Sequence, residues 1–250
     1  MNLKIFTLAF CAMLMACCGY AQSLSATDIV AKADRQSRGQ SSYSEMTMTI
    51  VRPKYQRDIS MKAWSKGDSL ALIKITAPAK DAGSGFLKIH KDLWNWLPSI
   101  DRMIKMSSSV MGQSWMGSDF TNDDMVQESS IVKDYKPKIL GNENLRNFNC
   151  YKIELIPNPN AAVVWGKVIV WIDQDNFYII RSESYDENMV LAQTMDNYDF
   201  KSFTGRTAPS RIEVVPADKP GQKTVVTIQS ATYNQPIDNS FFSQQNLKKL

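Results

Sequence analysis

From Tyr43 to Tyr233 the chain is a succession of short segments in which apolar and polar residues alternate, and this leaves few folds open. Met46, Met48 and Ile50 alternate with Glu45, Thr47 and Thr49; Ile59, Met61 and Ala63 alternate with Asp58, Ser60 and Lys62; Arg52-Pro53-Lys54-Tyr55 turns between them. A period of two marks strands with one face buried and the other wet. The signal recurs at 70–76, 85–91, 93–97, 102–106, 131–140, 150–156, 166–173, 177–185, 191–203, 210–215 and 224–233. Connections such as Ser65-Lys66-Gly67-Asp68 and Asp173-Gln174-Asp175-Asn176 are too short for crossovers, so successive strands pair antiparallel. A meander of that length curls or closes rather than staying flat. The expectation is a mainly β, single unclosed (half) antiparallel β-barrel of about 11–12 strands, with an N-terminal helix and short helices plugging the concave face. Val168-Ile169-Val170-Trp171-Ile172 is apolar at every position, which predicts a strand covered on both sides.

Three segments supply the plugs. Ser25 with Asp28 three residues on begins a helix reaching Gln40, whose apolar stripe is Ile29, Val30 and Ala33. Thr121 starts a short helix over 122–128, and 240–250 forms a final covering segment. Nothing divides the remainder, so 22–250 is expected to be one domain.

Composition removes most chemistries. His90 is the only histidine, and three of the four cysteines, Cys11, Cys17 and Cys18, fall within the first twenty residues. A His/Cys zinc site lacks ligands, and a hydrolase has one candidate base. Ser114 in Gly112-Gln113-Ser114-Trp115-Met116-Gly117 has the wrong spacing for a nucleophile elbow. Asp119, Asp123 and Asp124 lack the glycine and terminal glutamate of a calcium loop and read as acids near a helix N-terminus. His90 reads as a strand residue, exposed or partly covered, and Cys150 as a small buried hydrophobe. A net charge of +4, unclustered, gives no nucleic-acid footprint. No catalytic residue, metal or cofactor is assigned.

Residues 1–21 have the layout of a secretory signal: Lys4, an apolar run from Ile5 to Cys18, then Gly19-Tyr20-Ala21 before Gln22. The run is shorter than the roughly 20 residues that span a bilayer. Cleavage after Ala21 removes Lys4, leaving a net charge of +3 and Cys150 as the only thiol. The competing reading makes Leu14-Met15-Ala16-Cys17 a lipoprotein signal with Cys17 acylated.

The unusual stretch is 93–125, which holds three of the six tryptophans. Trp94 and Trp96 are two apart and share a side. Between Met106 and Phe120 the chain reads as a loop with Ser107-Ser108-Ser109, Gly112 and Gly117, yet it carries Val110, Met111, Trp115 and Met116. Loops are ordinarily polar, so an apolar one either tucks into a core or closes over a ligand. Methionine suits a surface that accepts differently shaped apolar partners. The candidate ligand-binding residues are Trp94, Trp96, Met103, Met106, Met111, Trp115, Met116 and Phe120.

Asp92-Leu93-Trp94-Asn95-Trp96-Leu97-Pro98 and Met116-Gly117-Ser118-Asp119-Phe120, behind an export signal and a helix, resemble the LolA-like outer-membrane lipoprotein-sorting family. The resemblance runs from Ser25 to the C-terminal segment with Phe241, Phe242 and Leu247. It implies a periplasmic carrier of acylated lipoprotein or lipid cargo, loaded by an inner-membrane exporter and unloaded to an outer-membrane acceptor, and acting as a monomer. In well-studied carriers a Lys-Arg-Pro turn after an early tryptophan supplies the arginine that holds the lid. Here the matching stretch is Trp64-Ser65-Lys66-Gly67-Asp68, with Gly67 at that place, so any lid is latched differently. Burying a methylene is worth about 0.8 kcal/mol, so a 16-carbon chain represents on the order of 12 kcal/mol to be kept from water. Two other readings stand beside carriage: an outer-membrane receptor anchored through Cys17, and an interaction protein whose concave face is filled by its own side chains.

Overall fold

The computed structural model describes residues 24–126 and 130–250. The signal read at 1–21, with the alternative at Cys17, lies outside them. Among the described residues thirteen strands, β1 (Ser41–Arg52), β2 (Tyr55–Lys66), β3 (Leu70–Ala77), β4 (Gly85–Ile89), β5 (Asp92–Leu97), β6 (Arg102–Met106), β7 (Tyr135–Leu145), β8 (Phe148–Pro157), β9 (Lys167–Asp173), β10 (Ile179–Tyr185), β11 (Leu191–Phe203), β12 (Arg206–Pro216) and β13 (Lys223–Tyr233), form one antiparallel sheet. Their order is β6-β5-β4-β3-β2-β1-β13-β12-β11-β10-β9-β8-β7, so every pairing but one joins sequence neighbours. The exception joins β1 (Ser41–Arg52) to β13 (Lys223–Tyr233), which brings the two ends of the meander to the centre and leaves β6 (Arg102–Met106) and β7 (Tyr135–Leu145) as unpaired edges. The sheet is unclosed, as the alternation implied.

Helix α1 (Ala26–Arg38) begins as its sequence dictates. Ser25 is the N-cap: its Oγ accepts from the Asp28 N–H at 3.1 Å while the Asp28 carboxylate accepts from the Ser25 N–H at 3.3 Å. Arg38 closes the last turn on Asp34 at 2.7 Å, and Gly39, at φ 69, ends the helix. The stripe Ile29, Val30 and Ala33 is fully buried against Ile153 and Leu155 of β8 (Phe148–Pro157) and Val168, Val170 and Ile172 of β9 (Lys167–Asp173). The side of the sheet that carries α1 is termed the inner face. Ile169 and Trp171 point outward and are buried there with Cys150 and Ile180, so β9 is covered on both sides.

Three expectations shift. The segment 131–134 is a turn, not strand: the Ser130 carbonyl accepts from the Lys133 and Asp134 amides, and β7 starts only at Tyr135. It runs on to Leu145 because the hairpin to β8 is closed by Arg146 and Asn147 at φ 52 and 68, the left-handed pair that a two-residue type I′ turn requires. His90 belongs to no strand; it lies exposed in the turn between β4 (Gly85–Ile89) and β5 (Asp92–Leu97), at φ 56. The short helix α2 is assigned over Asn122–Val126, with Thr121 as its cap.

The β7 edge is long and mostly exposed, a template for unwanted pairing. Lys136, Pro137 and Lys138 occupy its first half, and an irregularity between Ile139 and Gly141 breaks its register with β8. Charge, a missing N–H and a bulge are the usual ways of blunting an edge.

Candidate ligand-binding face

Strand alternation places Met46 and Met48 of β1, Met61 of β2 (Tyr55–Lys66), Met106 of β6 and Met195 of β11 (Leu191–Phe203) on the inner face, where the covering segment adds Met111, Met116 and Met125. Three of the thirteen methionines precede residue 24; of the other ten, these eight converge on one apolar cluster with Ile73, Ile75, Phe86, Leu93 and Val214. Branched and aromatic side chains would fix one packing, whereas unbranched thioethers can repack around a guest.

The segment between β6 and α2 covers this cluster. The Trp115 amide donates to the Phe120 carbonyl at 2.8 Å, and Met116 and Gly117, at φ 50 and 81, turn the tip. Trp115 is fully buried, with its ring 5.4 Å from that of Phe86, and Met111 and Phe120 are buried beside it. The Ser114 hydroxyl is committed to the Ser118 carbonyl at 2.5 Å, a loop-closing bond.

Gly117-Ser118-Asp119-Phe120 is then pinned to the β1–β2 hairpin. Arg52, the last residue of β1, donates to the Asp119 carboxylate at 2.8 Å and to the Gly117 carbonyl at 2.9 Å. Thr224 of β13 donates to the same carboxylate at 2.7 Å, and its Oγ1 accepts from the Asp119 amide at 2.9 Å. Arg57 reaches the Met116 carbonyl at 3.3 Å and pairs with Asp81 at 2.5 Å. Asp119 was read as an acid near the helix start; it is instead the loop's ionic anchor, while Asp123 and Asp124 do lie in the first turn of α2. Asp124 completes a capping box, its N–H donating to Thr121 Oγ1 at 3.0 Å and its carboxylate accepting from the Thr121 amide at 2.8 Å. Burial nonetheless pushes its pKa above the ordinary carboxylate value.

Near Gly67, which has φ 59 and open space around it, the flanking residues make the connections. Asp68 pairs with Lys133, joining the β2–β3 turn to the segment before β7, and Lys66 donates to the Ile237 carbonyl and to Asn239 Oδ1, each at 2.7 Å. The first of these pairs is exposed and worth little. The buried Arg52–Asp119 pair is therefore the stronger hold on the loop.

The eight candidate residues divide between two faces. Met106, Met111, Trp115, Met116 and Phe120 belong to the inner cluster. Trp94, Trp96 and Met103 point outward and pack with Leu72 and Leu87 under the C-terminal segment, whose Phe242 and Leu247 are buried on them. Helix α3 (Gln244–Lys249) lies close because β4 has Gly85 there: a Cβ would sit 2.5 Å from Leu247 Cδ1 and 2.5 Å from the Ile73 carbonyl oxygen. Lys74 donates to the Leu247 carbonyl at 2.8 Å, and burial lowers its pKa. Lys248 sits 4.3 Å above the Trp96 ring. The spacing of Trp94 and Trp96 gave a shared side but not which side, and Met46, Met48, Met61, Met125 and Met195, which share the inner cluster, were not among the candidates. Their signal was present: methionine at alternate positions of strands that pair in register, as in Met46 opposite Met61.

Two of the cavities lie beside α1 and the loop. One, of about 140 Å³, lies under the C-terminal half of α1 between Ala33, Ile179, Ile212, Ile228 and Tyr233. The other, of about 650 Å³, is an open and more polar cleft beside the loop, edged by Arg52, Asp119, Thr121, Gln193 and Lys219. Cys150 is fully buried, and its thiol pKa is raised to about 11, mainly by burial, which keeps it protonated and unreactive. Among the described residues no group of three or more His, Cys, Asp or Glu is placed to hold a metal ion.

A family model described as "-like: Uncharacterized protein" matches residues 67–249. No curated protein matches the sequence. Solved structures do. A putative outer membrane lipoprotein-sorting protein domain from Vibrio parahaemolyticus is 21% identical at TM-score 0.80, over 89% of this chain and 98% of that one. A DUF1329 family protein from Desulfovibrio piger is 24% identical at TM-score 0.81, over 89% and 97%. A LolA superfamily protein from Nitrosomonas europaea is 25% identical at TM-score 0.77, over 89% and 99%. The fold is thus held in common with these LolA-like and lipoprotein-sorting structures nearly end to end, and the chain belongs to the family that the matching model describes.

Proposed function

We propose that this protein is an exported, non-enzymatic carrier that holds the acyl chains of lipoproteins or other lipids on the inner face of its sheet and delivers them toward the outer membrane. The observation that carries the reading is the convergence of eight methionines on one cluster beneath a clamped loop and the short helix α2. The likeness to a lipoprotein-sorting domain and to a LolA superfamily protein supports a sorting role and, with it, the periplasm. A carrier in that role would be loaded by an inner-membrane donor and unloaded to an outer-membrane acceptor. A cavity of about 140 Å³ matches an engineered apolar cavity of ~150 Å³ that admits benzene, far less than an acyl chain requires. Uptake therefore proceeds by repacking of the methionines and displacement of a cover, with the cavity under α1 as the starting gap.

Met103 and Met106 provide the test. They lie three residues apart in β6, both half-buried, on opposite faces. Met106→Glu should abolish binding of an environment-sensitive fluorescent fatty acid, and Met103→Glu should leave it intact. Equal loss in both overturns the inner-face assignment. Absence of binding by the unaltered protein overturns carriage and favours a face filled by its own side chains. Intact mass of the exported protein separates a free carrier beginning at Gln22 from a receptor anchored through Cys17.

A further inference from the structure

Among the described residues three buried polar atoms on the inner face have no partner; one, Arg57 Nε, belongs to a guanidinium already held by Asp81 and the Met116 carbonyl, and the other two lie together. Trp115 is fully buried, and its Nε1–H meets no acceptor. Asn95 shares the inward parity of Leu93 in β5, and its buried Oδ1 meets no donor. Both adjoin one ring: Asn95 is the cross-strand partner of Phe86, and Phe86 packs on Trp115 at 5.4 Å. A buried indole N–H normally finds an acceptor, and buried amide oxygens are normally paired, so one orphan donor and one orphan acceptor around one side chain call for a ligand group.

We propose that Trp115 and Asn95 are the polar reading point of the face and take the secondary amide through which an acyl chain joins its head group. This rests on the carrier reading above. A secondary amide offers one C=O and one N–H, so it satisfies Trp115 Nε1–H and Asn95 Oδ1 together. An ester offers only acceptors and leaves Asn95 unpaired. A free carboxylate also lacks a donor and carries a charge that the surrounding apolar side chains disfavour. The hydrocarbon beyond the amide lies along the methionines, and the open cleft beside the loop, edged by Arg52, Gln193 and Lys219, receives the polar head.

The test uses two neutral amphiphiles that differ only in NH against O, N-(2-hydroxyethyl)palmitamide and 2-hydroxyethyl palmitate, each competing with the fluorescent fatty acid. The full-length exported protein should bind the amide about 5–10-fold tighter than the ester, the worth of one hydrogen bond. Asn95→Leu should abolish that preference by removing the contact only the amide makes. Trp115→Phe should weaken both ligands by a similar factor and retain the preference, since both present a C=O. Equal binding of the two by the unaltered protein, or a preference that survives Asn95→Leu, overturns the inference and leaves carriage standing. Failure of both to displace the bound fatty acid likewise overturns the inference alone, whereas no binding of the fatty acid itself overturns carriage. If Trp115→Phe melts at a markedly lower temperature, Asn95→Leu decides alone, because exchanging an amide whose oxygen is unpaired for a leucine on an apolar face preserves the fold.

Discussion

Arg52→Met should release the loop that covers the methionine cluster. In the folded chain the Asp119 side chain is 4% exposed and that of Arg52 11%, so both charges are withdrawn from water and depend on each other. Without the guanidinium, Asp119 keeps the Thr224 hydroxyl and its own amide contact, and the Gly117 carbonyl loses its donor. Breaking a buried ion pair from one side typically costs about 3–5 kcal/mol. The charge-free double variant Arg52→Met/Asp119→Asn should recover about 2 kcal/mol of that, since no uncompensated carboxylate remains. Urea denaturation of the singles and the double measures the global part. If the loop detaches before the sheet unfolds, the same free energy appears as amide exchange across 111–120 faster by about two to nearly four orders of magnitude, with an unchanged midpoint. A global loss under about 1 kcal/mol together with unaltered exchange in that segment refutes the clamp.

Gly85→Ala should destabilise by about 3 kcal/mol, the upper end for overpacking, because the new Cβ meets a ladder carbonyl that cannot move aside. Adding Leu247→Ala should not rescue it, and rescue in a denaturation midpoint would place the conflict in the side chain alone. For Asp124, burial raises the folded-state pKa, so between its ordinary value and the raised one the folded chain holds more protons than the unfolded chain. Stability from this group is therefore present in acid and is lost as pH rises through that window, above about pH 4. Asp124→Asn cannot ionise and lacks this slope, so its stability should gain on the unaltered protein as pH increases; a difference that moves the other way contradicts the assignment.

Much of the architecture was legible because it depends on local periods. The alternation of Met46, Met48 and Ile50 against Ile59, Met61 and Ala63 is the register that pairs Met48 with Ile59. Ser25 and Asp28 are close enough in sequence to announce their capping box. What remained hidden was long-range. Asp119 finds Arg52 at a separation of 67 residues, and nothing local distinguishes that partnership from helix capping. Trp94 and Trp96 point together, but whether they meet the inner cluster or the outer one is decided by Leu247 settling over Gly85, a contact between distant segments. The start of β7 was misplaced because Ile131 and Val132 are apolar without being strand: they pack on the α1 cluster from a turn.

The missing seam between β6 and β7 has a mechanical consequence. A closed barrel fixes its girth through a ring of ladder bonds, and changing the radius means breaking some of them. Here the outermost strands have no bond to each other, so the curvature can relax or tighten while all twelve pairings persist. The resistance to such breathing then comes from what packs across the inner face, the loop residues Met111, Trp115 and Phe120 and the stripe of α1, with the buried Arg52–Asp119 pair fixing the loop in place.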